Sequence, residues 1–228
     1  MSGGPPEVMT ISPVPHARVY AAANGSYTTV MKILALSFTT ALSLPTLAAA
    51  EMVPLSELSS YLNGIDMAQS TFTQINADGT VATGQFYIQR PGRARFEYDD
   101  DDLLVIAGGG QLAIFDGRGN TTAEQYPLSQ TPLSIILNQG VDLSRSGMVV
   151  GHEFDGTATR VIAQDPDRPE IGTLTMVFTG DPVELRQWVV TDQGGAETTI
   201  VLGNLDEDEE LSQILFSIPI EINRRSGE

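Results

Sequence analysis

The sequence predicts a mainly β protein: one large antiparallel sheet that curls, with two short helices filling its concave side. Apolar and polar residues alternate through many short segments, turn residues punctuate them at short intervals, and only two stretches carry a helical period. A sheet of so many strands must bend, split or close, and a bent sheet leaves a hollow for apolar helices to occupy.

The first helical stretch is 54–65, where Leu55, Leu58, Leu62 and Ile65 share one face and Gly64 stands near the end. The period then drops to two. Segment 71–75 alternates, and Asp78-Gly79 offers a hairpin turn before Val81. Segment 84–89 sets Phe86 and Ile88 on one side and Tyr87 on the other. After a break at Pro91-Gly92, Ala94, Phe96 and Tyr98 alternate with Arg95 and Glu97, the pattern of a half-buried strand. Residues 99–102 read as a solvated turn. Strands at 103–107 and 112–115 meet at Gly108-Gly109-Gly110, and Asp116-Gly117 turns the chain toward a strand at 121–126.

The second helix is expected at 132–137. Thr131 is placed to cap it, Pro132 suits its first position and Gly140 its end. Leu133, Ile135, Ile136 and Leu137 are apolar nearly all round, so this helix must be covered on more than one side. Strands resume at 148–154, 158–164, 173–179, 184–191 and 198–202, with turns at Asp155-Gly156 and Gly194-Gly195 and a polar loop at 165–170. An acidic loop fills 206–210. The last stretch, 215–222, reads as an extended segment at a sheet edge because Pro219 interrupts it.

Ahead of this domain, 31–50 has the three parts of a secretory signal: the charge of Met31-Lys32, an apolar stretch, and small residues around Ala48-Ala49-Ala50 after Pro45. The apolar stretch is shorter than the roughly 20 residues a membrane span needs. Cleavage near Ala50 is expected; a buried N-terminal helix would gain nothing from the Ala-x-Ala ending. Residues 1–30, rich in Gly, Pro, Ala and Ser, read as a mis-assigned extension before the initiator Met31, or as a long leader to the same signal. That leaves 51–228 as one domain without cysteine, so without disulfides or thiolate–metal sites.

Leaving out Arg18, Lys32 and Glu7, residues 51–228 hold 10 basic side chains, all arginine, against 28 acidic ones. A surface of that sign repels phosphate backbones and offers anionic membranes no basic patch. Nucleic acid is therefore excluded as a partner. Catalytic signatures are equally scarce. His152, the one histidine of this stretch, sits between Gly151 and Glu153 with no sign of a nucleophile and acid around it. Counted from Asp99, the sixth and twelfth positions of a calcium loop would be Leu104 and Gly110 instead of Gly and Glu. Gly108-Gly109-Gly110 lacks the following helix and Lys-Ser/Thr of a phosphate loop. No cofactor and no metal are expected.

Arg90, Arg93 and Arg95 stand apart, three of the ten arginines within six positions. An arginine at the rim of a concave sheet can hydrogen-bond the free carbonyls at a helix end and so latch a lid reversibly.

At this cluster the chain resembles the outer-membrane lipoprotein carrier family, LolA. The resemblance runs through Phe72-Thr73-Gln74, the stretch from Gly84 through Arg90-Pro91-Gly92-Arg93-Ala94-Arg95-Phe96-Glu97-Tyr98, then Leu112-Ala113-Ile114-Phe115-Asp116. Thr131-Pro132-Leu133 with Ile136-Leu137 is similar to the family's second helix, and Phe216-Ser217-Ile218-Pro219 to its C-terminal strand. It implies a half-open antiparallel β-barrel with a helical lid over an apolar cavity, here Leu58, Leu62, Phe72, Phe86, Ile88, Phe96, Leu133, Ile136 and Leu137. It implies Arg90 as the lid latch and Ala94, Arg93 and Arg95 as partner contacts. Ala94 stands where the family has a large apolar residue, Phe96 replaces a tryptophan, and 99–102 replaces a proline-containing turn. The implied function is that of a monomeric, non-enzymatic periplasmic chaperone. It would take lipoproteins by their acyl chains from an inner-membrane releasing transporter to an outer-membrane acceptor. A periplasmic module that binds or senses another lipid, and a hydrolase using His152, are the alternatives.

Overall fold

In the computed structural model the described residues are 51–99, 102–117 and 123–227. The expected extension and signal, the middle of the 99–102 turn and the start of the 121–126 strand lie outside them. Helix α1 (Leu55–Gly64) comes first. Six strands follow: β1 (Met67–Ile75), β2 (Val81–Gln89), β3 (Arg93–Tyr98), β4 (Leu103–Gly108), β5 (Gln111–Asp116) and β6 (Glu124–Pro127). A crossing segment carries the short helix α2 (Ser134–Leu137). Then come β7 (Val149–Phe154), β8 (Ala158–Gln164), β9 (Thr173–Thr179), β10 (Glu184–Thr191), β11 (Glu197–Leu202) and helix α3 (Ile218–Ser226).

All eleven strands form one antiparallel sheet in the order β6-β5-β4-β3-β2-β1-β11-β10-β9-β8-β7. The chain starts at the centre, runs outward to β6, crosses to the opposite edge at β7 and returns to pair β11 with β1. β6 and β7 do not pair, so the sheet stays open. Its curl can be read from aromatic contacts. β3 and β10 are four strands apart in the order, about 19 Å in a flat sheet. Yet the rings of Phe96 and Trp188 lie 6.3 Å apart, and those of Phe86 and Trp188 5.4 Å apart.

The concave face carries the main core. Phe72, Phe86, Ile88, Phe96, Met176, Phe178 and Trp188 point into it and meet Leu58 and Leu62 of α1 and Ile135, Ile136 and Leu137 of α2. The full burial of these α2 residues is what an all-round apolar helix demands. On β4 and β5 the alternate residues, Leu104, Ile106, Ala113 and Phe115, face the other way and form a second cluster with Ile218 and Ile222 of α3. Two-sided burial explains why these strands read as nearly continuous apolar runs.

Three expectations are corrected here. Residues 215–222 are not an edge strand: a 3-10 turn (Gln213–Phe216) leads into α3, whose Ser217 hydroxyl accepts from the Ile220 N–H and whose C-cap, Gly227, has φ 76°. Pro219 lies in the first helical turn, where its missing N–H costs nothing. The likeness of Phe216-Ser217-Ile218-Pro219 to a C-terminal strand therefore does not hold. Second, α2 starts at Ser134 and ends at Leu137, short of Gly140. The Thr131 hydroxyl does not cap it but donates back to the Leu128 carbonyl at 2.8 Å. Third, the described residues form three α-helices, one of them on the convex face.

Candidate lipid-binding site

Where α1 and α2 cover the concave face they enclose a small chamber. Leu62 and Ile65 come from the α1 side, Leu133, Ile136 and Leu137 from the α2 segment, and Phe86, Ile88, Ala94, Leu185, Trp188 and Leu202 from the sheet. Its free volume is about 20 Å³, enough for one water and far below the ~150 Å³ that admits a benzene. Beside it lies a trough of about 500 Å³. Phe96, Tyr98, Val105, Leu112 and Ile114 form one wall, Trp188, Val190, Thr198 and Ile200 the other, and Gln130–Leu133 an end. Leu133 and Trp188 line both spaces and separate them.

Of the residues expected in a cavity, Leu62, Phe86, Ile88, Leu133, Ile136 and Leu137 line the chamber, and Phe96 and Leu133 the trough. Leu58 and Phe72 are buried in the surrounding core instead. Sequence reasoning missed the β10–β11 wall, Trp188 above all. A bulge between Leu185 and Gln187 shifts the register of β10, so Leu185 and Trp188, three positions apart, face the same side. Strict alternation would have put them on opposite faces.

Arg90 follows β2 and reaches across to the helices. Its guanidinium donates to the Leu62 carbonyl at the end of α1, to the Asn63 side-chain oxygen at 3.2 Å, and to the Asn138 carbonyl just after α2. Asn63 in turn exchanges two hydrogen bonds of 2.8 Å with the backbone of Val141, and the Gly92 N–H donates to the Leu137 carbonyl at 2.8 Å. All three acceptors are neutral, and two of them are backbone carbonyls at the ends of α1 and α2. Burial pushes the Arg90 pKa down from its ordinary value, with the Asp66 carboxylate acting weakly the other way.

The neighbouring arginines are placed otherwise. Arg93 is partly exposed and donates to the Gln89 carbonyl at 3.3 Å. Arg95 is only 8 % exposed and points to the convex face, where it bonds Glu97 at 2.6 Å and the Leu215 carbonyl at 2.9 Å. Ala94 is fully buried in the chamber wall. Of the three residues expected to touch a partner, only Arg93 presents a surface here; the inward turn of Ala94 and the cover over Arg95 are the reasons.

Within the trough the Tyr98 hydroxyl donates to Gln74 Oε1 at 2.6 Å, and burial raises the Tyr98 pKa to about 12. His152, on β7, has its Nε2 3.0 Å from the Val53 carbonyl at the entry to α1. Among the described residues no group of three or more His, Cys, Asp or Glu side chains gathers to hold a metal. No described helix is long and apolar enough to cross a membrane.

Residues 63–219 match a family model described as "Outer membrane lipoprotein carrier protein LolA". An outer-membrane lipoprotein carrier protein of Methylococcus capsulatus is 33% identical over 73 residues. That match covers 29% of this chain and 35% of the relative, so the chain spans about a third of that protein's length. Among solved structures, a LolA superfamily protein from Nitrosomonas europaea aligns over 73% of this chain and 99% of its own, with 9% identity and a TM-score of 0.42. A putative outer membrane lipoprotein-sorting protein domain from Vibrio parahaemolyticus aligns over 74% and 97%, with 8% identity and a TM-score of 0.44. Scores of that size carry no functional argument.

Proposed function

The chain belongs to the outer-membrane lipoprotein carrier family LolA, and from that premise we propose that it is a periplasmic chaperone that shields the acyl chains of lipoproteins on their way from the inner to the outer membrane. It receives cargo from an inner-membrane releasing transporter, works as a monomer without catalysing a reaction, and hands the cargo to an outer-membrane acceptor. The observation that supports this reading most is the apolar hollow whose helical cover is tied down by one arginine, Arg90.

The energetics fit a carrier. Each methylene removed from water is worth ~0.8 kcal/mol, so one chain of about 16 carbons gains on the order of 12 kcal/mol. Burial alone would trap the cargo. The chamber of about 20 Å³ has no room for a chain while α1 and α2 rest on the sheet, so cargo must lift them and break the Arg90 fork. Each such charge-assisted hydrogen bond is worth roughly 1.5–3 kcal/mol. Loading is still favoured, but the strain of the open cover offsets part of the gain and leaves the loaded state ready to discharge.

Purified protein mixed with a triacylated lipoprotein should keep it soluble without detergent. Arg90→Leu should still fold and take up cargo but pass it poorly to acceptor-bearing vesicles, because re-closure no longer drives the chain out. Failure to hold any of several lipoproteins in solution would remove the carrier reading; transfer by Arg90→Leu at the wild-type rate would remove the latch from it.

A further inference from the structure

The trough is already free space while the Arg90 fork is made. We propose that it is a preformed site for a single acyl chain ending in a neutral ester or amide, filled before the latch opens and separate from the chamber beneath the helices. This rests on the carrier reading above and adds to it an order of loading and a pair of recognition residues.

Three observations support it. At about 500 Å³ the trough falls within the range of small-molecule pockets, and its long walls are apolar: Val105, Leu112, Ile114, Val190 and Ile200. Polar groups interrupt those walls at a few points, among them Gln74 and Tyr98. Gln74 accepts the Tyr98 hydroxyl at Oε1 and gives one amide hydrogen to Asn76 at 2.7 Å. An amide has two N–H groups, and a carbonyl oxygen accepts from the second. The charges near the trough select against anions. Among the described residues, the only ionisable carboxylate on its lining, Asp192, is engaged by the backbone N–H groups of Gly194 at 2.7 Å and Ala196 at 3.0 Å, and no described arginine lines the trough. Among the described residues a carboxylate or phosphate head would meet an acid and no cation, in a protein of net charge −17. A neutral ester or amide carries no charge for Asp192 to repel.

The partition supplies the reporter. Trp188 is the only tryptophan in the sequence, is 2 % exposed, and forms the wall between trough and chamber. A brominated chain in the trough lies against it and quenches its fluorescence.

The test titrates methyl dibromostearate, a neutral ester, and dibromostearic acid, its anion, into the protein while following Trp188. The ester should quench and bind about tenfold tighter than the acid. Arg90→Leu should leave ester affinity within about twofold, because the site does not wait for the latch. Ile114→Glu, which sets a carboxylate in the apolar wall, should weaken the ester at least about tenfold. Val190→Phe, which fills the trough without a charge, should do the same and guards against misfolding of the first variant. Gln74→Leu should weaken the ester but leave a dibrominated alkane unchanged, which a merely structural role for Gln74 would not do. Ester binding that is insensitive to both wall variants, or that appears only in Arg90→Leu, overturns the proposal. If triacylated lipoprotein is still held in solution in that case, the carrier reading stands without it; if neither ester nor lipoprotein binds, both fall.

Discussion

On the concave face, α1 and α2 meet the sheet through apolar side chains, two neutral hydrogen bonds (Leu185 N–H to the Tyr61 hydroxyl at 3.0 Å and Gly92 N–H to the Leu137 carbonyl at 2.8 Å) and one guanidinium, that of Arg90, whose acceptors are uncharged. On the convex face, α3 meets β4 and β5 through Ile218, Ile222 and Phe115 and through a shared carboxylate. Glu221, 5 % exposed, takes hydrogen bonds from Arg224 and from Arg225 at 2.8 Å and has Arg95 at 3.9 Å. Arg225 also stacks over the Phe115 ring, 5.1 Å from its centroid, and reaches Asp102 at 3.2 Å. Arg90 and Arg95 are five positions apart, yet one ties a cover through dipoles and the other helps tie a cover through opposite charges. Arg90 is desolvated with little countercharge, and its buried Nε has no hydrogen-bond partner among the described residues. That cover is held weakly. Removing a member of the convex cluster strands a buried charge, so that cover stays.

Substitutions should separate the two covers. Phe115→Ala is expected to cost about 4 kcal/mol of unfolding free energy in a denaturant titration, as for other buried aromatics. Lipid binding per folded molecule should not change, since Phe115 faces α3. Altered binding would mean that the two faces communicate. Glu221→Gln should cost about 3 kcal/mol, because Arg95 and Arg225 lose a buried counterion. A loss as small as that of Arg90→Leu would erase the distinction drawn here.

Acid sharpens the same contrast. Burial alone raises the Glu221 carboxyl, but hydrogen bonds from Arg224 and Arg225 and the charges of Arg224 and Arg95 outweigh it, so its pKa lies below the ordinary 4.5. The folded state then binds fewer protons than the unfolded one between those two values. The stability that Glu221 contributes is present at neutral pH and is lost as pH falls from about 4.5 through the folded value. Unfolding curves at stepped pH should show a smaller loss in Glu221→Gln than in the wild type, the remainder coming from Asp78, Asp155 and Asp165, whose pKa values are also lowered. The smallest change is expected for Arg90→Leu: about 1 kcal/mol or less, because the cost of desolvating its charge offsets most of its hydrogen bonds. A Tm shift as large as that of Phe115→Ala would show that Arg90 holds up the fold and would count against the proposed latch.

Strand positions were legible wherever one face meets core and the other water. The expected 158–164, 173–179 and 184–191 coincide with β8, β9 and β10. The C-terminal stretch was not, because two signals compete there. Ile218, Ile220 and Ile222 are two apart and mimic a strand, while Ser217, Pro219, the Arg224-Arg225 pair and Gly227 spell out a helix from cap to cap. Docking of Ile218 and Ile222 on the outer cluster settles the matter in favour of the helix. In the site, the family pattern pointed to Arg90, whose guanidinium lies against the ends of α1 and α2, but Trp188 stayed hidden behind a bulge that no spacing rule announces.

By itself the sequence determines what depends on neighbours along the chain: alternation, turns at Asp78-Gly79 and Gly194-Gly195, and two apolar helices that need a cover. Only the tertiary structure decides that Arg90 turns to the concave side and Arg95 to the convex one, and that the space under the helices is about 20 Å³ while the space beside them is about 500 Å³. The physical reason is that a cavity is what remains between surfaces already packed. Its walls here are Leu62, Leu133 and Trp188, each brought by a different part of the chain, and no local period encodes the gap they leave.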